Sequence, residues 1–272
     1  MPLDARFDTN LPGESDEHSA LLDETSVAHL TPRRSRERRD ARSWLESSRT
    51  TRRWNTDLIA WTAVSLGVGV LASLSASLLL PAATASIVGP LALWAGMVVP
   101  IVIAIRRGRP TGLFAFRATD ILWGVALGLL LRTVQGWLAV AAGDSGALPG
   151  YPTLDGQLPA LWWLTAIVLP VAVAPLVEEV LFRGVILVAV YRIARRGLEG
   201  AVLAVIASTA VFVALHAVSG MARWDEPFVL ALVGIACGVV VMSTGRIWGA
   251  VLVHVVFNGS WVVLSLAGTL LG

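Results

Sequence analysis

Few polar side chains interrupt the long apolar stretches of this sequence, and their types belong to one kind of chemistry. The stretch "PLVEEVLFRGVIL", residues 175–187, holds Glu178, Glu179 and Arg183; "FVALH" ends on His216; "HVVFN" runs from His254 to Asn258. A carboxylate and an imidazole together can deprotonate water near neutral pH. A histidine beside an amide can donate hydrogen bonds to a developing oxyanion. Hydrolysis by an activated water is one reaction such residues can serve.

Helical spacing divides the work among them. Glu179 and Arg183 are four apart, on one helix face and in the favourable acid-before-base order, so they can neutralise one another. Glu178 is turned about 100° away and has no cation on its own helix. An unpaired carboxylate on an apolar helix suits a general base, which makes Glu178 the worker and Glu179 the brace. Phe212 precedes His216 by one turn, and Asn258 follows His254 by one turn on the same face. The plainer alternative is a structural knot in which both acids pair with Arg183 and the mid-span Arg132. A single buried histidine is also more often a hydrogen-bonded core residue than a catalyst.

These residues must be positioned by membrane-crossing helices. The chain has 272 residues, 56% hydrophobic and 15% charged, where soluble domains carry nearer a quarter charged. Apolar blocks at about 58–80, 86–105, 121–142, 159–196, 199–217, 228–244 and 247–271 each have a length that can cross a ~30 Å hydrocarbon core. The fold expected is an all-α bundle of about seven spans. Within it, an ionised side chain costs roughly 2.5–3.5 kcal/mol at a helix centre, so Arg132, Glu178, Glu179, Arg183, His216 and His254 should face the bundle interior or a wet cavity. Residues 159–196 are long for one span, and Pro170 and Pro175 predict a bent or broken helix there.

Ahead of the spans, residues 1–54 read as a disordered cytoplasmic tail, acidic up to residue 31 and then Arg-rich. They contain no apolar run that could act as a cleavable leader, so the first span is expected to be its own membrane signal. All 21 basic residues are arginine, which with the Ala/Val-rich composition fits a GC-rich bacterial genome. Basic residues cluster in the tail, in 106–117, in 192–196 and at Arg246, while 81–85 and 143–158 have none. The positive-inside bias therefore predicts a multi-pass plasma-membrane protein with a cytoplasmic N-terminus. The lone Cys237 excludes an internal disulfide and reads as core packing.

Taken in order and spacing, "EEVLFR", "FVALH" and "HVVFN" resemble the CPBP family of intramembrane proteases. That family includes the CAAX prenyl endopeptidases and is also named the abortive-infection family. Its pattern, Glu-Glu-x-x-x-Arg, Phe-x-x-x-His and His-x-x-x-Asn/Ser, occurs here without substitution. The resemblance covers roughly residues 159–262, dividing the chain into the tail 1–54, N-terminal spans 55–158 and a catalytic-type region 159–272. It implies that Glu178 and His216 activate water, that His254 and Asn258 hold the oxyanion, and that Glu179 and Arg183 stabilise the site.

The activity expected is endopeptidase cleavage of a membrane-associated protein or peptide, with the bilayer as surroundings and no nucleic-acid partner. No cofactor is expected, although Glu178, His216 and His254 form a two-His, one-carboxylate set of the sort that holds catalytic zinc. The close His-x-x-x-His spacing of a helix-borne zinc site is absent, which favours a metal-free reaction. Two other functions use the same residues: a non-catalytic scaffold or immunity protein retaining the site, and an ion-coupled transporter with Glu178 and His216 as relay. Counted from the helix ends, His254 and His216 lie at different depths, so they meet only if a span is displaced, tilted or re-entrant.

Overall fold

The computed structural model describes residues 43–271 apart from 47, 48, 154, 195, 219 and 222. The expected tail therefore lies outside the described residues up to position 42. Among the described residues every regular element is helical. Seven helices are long and apolar enough to cross a membrane: α1 (Thr56–Leu79), α2 (Ala82–Arg107), α3 (Ala118–Ala141), α4 (Trp163–Ile193), α5 (Gly197–Ala217), α6 (Asp225–Thr244) and α7 (Trp248–Leu271). Each agrees with its expected block to within a few residues.

The distribution of side chains is that of a protein solvated by lipid. Leu71, Leu122, Ile206 and Val263 point outward and are more than half exposed, whereas Glu179 and Arg183 are fully buried. With hydrocarbon outside there is little to gain by hiding leucine, and much to gain by surrounding a charge with polar partners. Close helix contact comes instead from small residues. A Cβ on Gly124 would stand 2.3 Å from the Leu252 Cβ, and one on Gly128 would stand 3.0 Å from the Val253 carbonyl oxygen. These glycines let α3 press against α7, the helix that carries His254 and Asn258.

Helix α4, expected to be bent or broken, is not broken: residues 163–193 are helical throughout, but the register widens to π-type over Trp163–Val173 and Val180–Leu187, on either side of the α-helical Ala174–Glu179. Proline explains part of this. In the wide register the Ala174 N–H donates to the Leu169 carbonyl, five residues back. The next donor would be Pro175, which has no N–H, so the Pro170 carbonyl loses its partner. Asn258 Nδ2 of α7 donates to that oxygen at 2.8 Å. Ser208 of α5 likewise donates to the Phe182 carbonyl at 2.9 Å. Wide turns of this sort concentrate at functional sites.

The boundary expected at residue 54 also needs correction. From Ser43 the chain packs onto the bundle. Trp44 and Trp54 are each 2% exposed; their indole N–H groups donate to the carbonyls of Gly245 (2.8 Å) and Ala104 (3.2 Å). Trp44 also meets the Tyr191 ring edge-on at 5.9 Å, and Arg192 donates to the carbonyls of Thr51 and Trp54. Composition concealed this because two tryptophans amid arginines raise mean hydropathy little while burying large areas. The segment straps the ends of α2 and α4 to the α6–α7 turn, where Gly245 adopts a left-handed φ of 70°. The basic connections 106–117, 192–196 and Arg246 thus share one end of the bundle. Replacing Trp44 by alanine should cost about 3 kcal/mol or more through lost burial and an orphaned Gly245 carbonyl. A drop in melting temperature of the detergent-solubilised protein checks this; an unchanged one refutes the strap.

Candidate active site

The widened part of α4 sets two adjacent carboxylates in different surroundings. Glu179 turns into the protein, where its Oε1 accepts from Arg183 NH1 at 3.0 Å, and both side chains have zero exposure. Arg183 in turn donates to the Gly234 carbonyl of α6 at 3.0 Å. The same Glu179 oxygen lies 3.1 Å from His254 Nδ1 on α7. A carboxylate oxygen only accepts, so Nδ1 carries the hydrogen and Nε2 points onward.

It points to Glu178. His254 Nε2 is 3.8 Å from Glu178 Oε2, and His216 Nε2 reaches the same oxygen at 3.8 Å. His216 is fixed by the same logic, since its Nδ1 is 2.9 Å from the Phe212 carbonyl oxygen, which also only accepts. Phe212 is the hub of the cluster. Its ring sits 4.4 Å from the His216 ring, 5.8 Å from the His254 ring and 4.9 Å beneath the Arg183 guanidinium. Glu178 Oε2 is buried and has no hydrogen-bond partner, and both histidines turn toward it the nitrogen left free by the bond at Nδ1.

The expected pairing of Glu179 with Arg183 is present, and Glu178 lies outside it. His216 and His254 do meet despite their different positions along their helices: His216 in the last turn of α5 and His254 in the second turn of α7 both reach Glu178, midway along α4. Openness is uneven. The His216 side chain is 30% exposed and that of His254 only 5%, so access is from the α5 side.

Residues 160–260 match the family model of type II CAAX prenyl endopeptidase, Rce1-like. That stretch, under half of the chain, is similar to this family. It runs from the start of α4 into α7 and contains Glu178, Glu179, Arg183, His216, His254 and Asn258; the family it resembles is one of endopeptidases. No curated protein and no solved structure matches the chain.

Two polar residues near the cluster have partners that spacing alone left open. Asn258, expected beside His254 at the oxyanion, spends one amide hydrogen on Pro170; an amide has two, and the second is not engaged there. Arg132 pairs with neither glutamate. Its Nε donates to Ser260 Oγ at 3.1 Å, NH1 to Gln135 Oε1 and NH2 to the Phe257 carbonyl, with the guanidinium 4.1 Å over the Phe257 ring. The parts of the site that spacing could not reveal are the backbone acceptors of Phe212, Gly234 and Pro170. They belong to helices whose relative rotation is decided by packing. Arg183→Met should leave Glu179 charged and buried, destabilising the protein by about 3–5 kcal/mol. The double variant with Glu179→Gln should recover most of that, as read by thermal unfolding in detergent; equal losses in both would contradict the pairing.

Proposed function

We propose that the chain is an intramembrane endopeptidase that hydrolyses a peptide bond of a membrane-associated protein or peptide, with Glu178 as general base. One observation carries this: the buried, unpartnered Oε2 of Glu178 facing two imidazole nitrogens at 3.8 Å each. That spacing is too long for direct hydrogen bonds and suits a water held within about 2.8 Å of its neighbours. Glu178 takes one water proton while His216 Nε2 accepts the other hydrogen as a bond, which aims the oxygen at the scissile carbonyl carbon. As the C–O bond forms, the carbonyl becomes an oxyanion. Asn258 can meet it with its second amide hydrogen. His254 can meet it from Nε2 when its ring carries both protons, a state in which Nδ1–H keeps Glu179 as acceptor. Glu178 then passes its proton to the leaving nitrogen, and the C–N bond breaks. Charge balance supports the scheme, because Glu178, Glu179, Arg183 and a doubly protonated His254 sum to zero.

The orientation proposed is a cytoplasmic N-terminus, resting on the gathering of the basic connections at the end where the Trp44 segment docks. A scaffold or transporter would not need both histidines to present Nε2 to one carboxylate oxygen. Glu178→Gln and His216→Ala are each expected to lower cleavage of a membrane-associated reporter about 10²–10⁴-fold, with melting temperature within a few degrees of the parent. Undiminished cleavage by either variant ends the assignment of that residue.

A metal-assisted version would draw on Glu178, His216 and His254, and both histidines have the tied Nδ1 common among zinc ligands. The donor types suit zinc, but the spacing does not close around an ion. Bonds of about 2.0 Å at a tetrahedral angle put nitrogen and oxygen about 3.3 Å apart, against 3.8 Å here. Among the described residues no group of three such donors could hold a metal. Cleavage should accordingly persist after treatment with 1,10-phenanthroline. Loss on chelation and recovery with Zn²⁺ would replace the metal-free scheme.

A further inference from the structure

Arg132 lies nine residues inside the end of α3, about 14 Å along the helix from Ala141, in a segment where an arginine is costly. No carboxylate among the described residues pairs with it. It is nevertheless held firmly, by Ser260, Gln135 and the Phe257 carbonyl, with the Phe257 and Trp261 rings 4.1 and 5.3 Å from its guanidinium carbon. A guanidinium has five N–H donors. Three are committed, leaving two.

Those two belong to a side chain that borders a cavity. Arg132, Gln135, Tyr151, Thr165 and Asn258 contribute its polar lining, with Pro170 beside them; its volume is about 450 Å³, within the range of about 300–1,000 Å³ typical of small-ligand sites. Asn258, one turn from His254 on α7, and Pro170 of α4 join the two helices at this cavity, so it shares Asn258 with the proposed oxyanion site. Its lining carries a cation and no acid. A second, more apolar cavity of about 850 Å³ lies between α3 and α7 and also reaches Arg132, past Leu129, Val256 and Val263. Loop residues Asp144–Pro149 border Arg132 in a third cavity.

We infer that Arg132 is an anion receptor for the substrate: it binds a carboxylate on the peptide, from a side chain or a chain end, in the cavity that shares Asn258 with the proposed site of cleavage. This rests on the proposed endopeptidase reading. A planar fork with two spare donors matches a carboxylate, and the neighbouring Asn258 ties the same cavity to the site of bond cleavage. The other anion at hand, a lipid phosphate, belongs at headgroup level, outside the hydrocarbon core in which this side chain sits. Arg132 thereby becomes a specificity residue and stands apart from the water-activating groups.

The test separates binding from cleavage. Full-length Glu178→Gln protein in phosphatidylcholine nanodiscs is titrated with three fluorescent hexapeptides of alanine and leucine. One has a free C-terminal carboxylate, one a C-terminal amide, and one the amide with a single central glutamate. At least one of the two carboxylate peptides is expected to bind about tenfold or more tighter than the plain amide. Arg132→Gln should erase that difference without weakening amide binding, and Arg132→Lys should keep part of it. Equal binding of all three peptides, no binding at millimolar concentration, or an equal loss for every peptide on Arg132→Gln overturns the inference. Displacement of the carboxylate peptide by phosphatidylglycerol in the nanodisc, dependent on Arg132, would give the site to a lipid and overturn it as well. Peptide recovered intact by mass spectrometry after each titration keeps the readout one of binding, whether or not Glu178 is the base.

Discussion

The ion pair between Glu179 and Arg183 is the constraint to which the other parts of the site are tied. Fully buried and 3.0 Å long, it joins a carboxylate that also receives His254 from α7 to a guanidinium that also reaches α6. Three helices are therefore registered against one another by charge-assisted hydrogen bonds, which are directional where hydrocarbon contacts are not. A buried pair is weak evidence for stability alone, since desolvation cancels much of its Coulombic gain. Its consequence here is orientational: it fixes the ring of His254 and, by occupying Glu179, keeps Glu178 distinct.

The surroundings extend the same logic outward. Phe212 supplies a carbonyl to one imidazole and ring faces or edges to both imidazoles and to the guanidinium, so a single aromatic residue holds the spacing of three polar groups. Glycines on α3 bring the Asn258-bearing helix close, and the Trp44 segment fastens the turn from which that helix starts. In a bilayer, where apolar burial gives little net attraction between helices, such specific contacts carry more of the architecture.

Much of this was legible in the amino-acid order. Block hydropathy located all seven helices, because a span must be continuous and apolar. The four-residue step from Glu179 to Arg183 foretold their pairing, and the odd phase of Glu178 foretold its separation. What escaped had a common physical cause. The docking of residues 43–54 depends on two tryptophans finding cavities and carbonyls far away in sequence. The continuity of α4 through Pro170 and Pro175 depends on a neighbour, Asn258, supplying the donor that proline lacks. The meeting of His216 and His254 at Glu178 depends on how α5 and α7 pack against α4. Pattern within a segment says little about partners from other segments.

The two wide stretches of α4 carry one more implication. A π-type turn holds extra chain relative to an α-helical one, so each stretch acts as a phase shifter placed before and after the two glutamates. Loss of a single codon in either stretch would swing the residues beyond it by about 100° relative to their neighbours. The segment would stay long and oily enough to traverse the bilayer. A descendant could thus keep the whole bundle yet disconnect its carboxylate from its imidazoles, through a change invisible to hydropathy and to a census of residues.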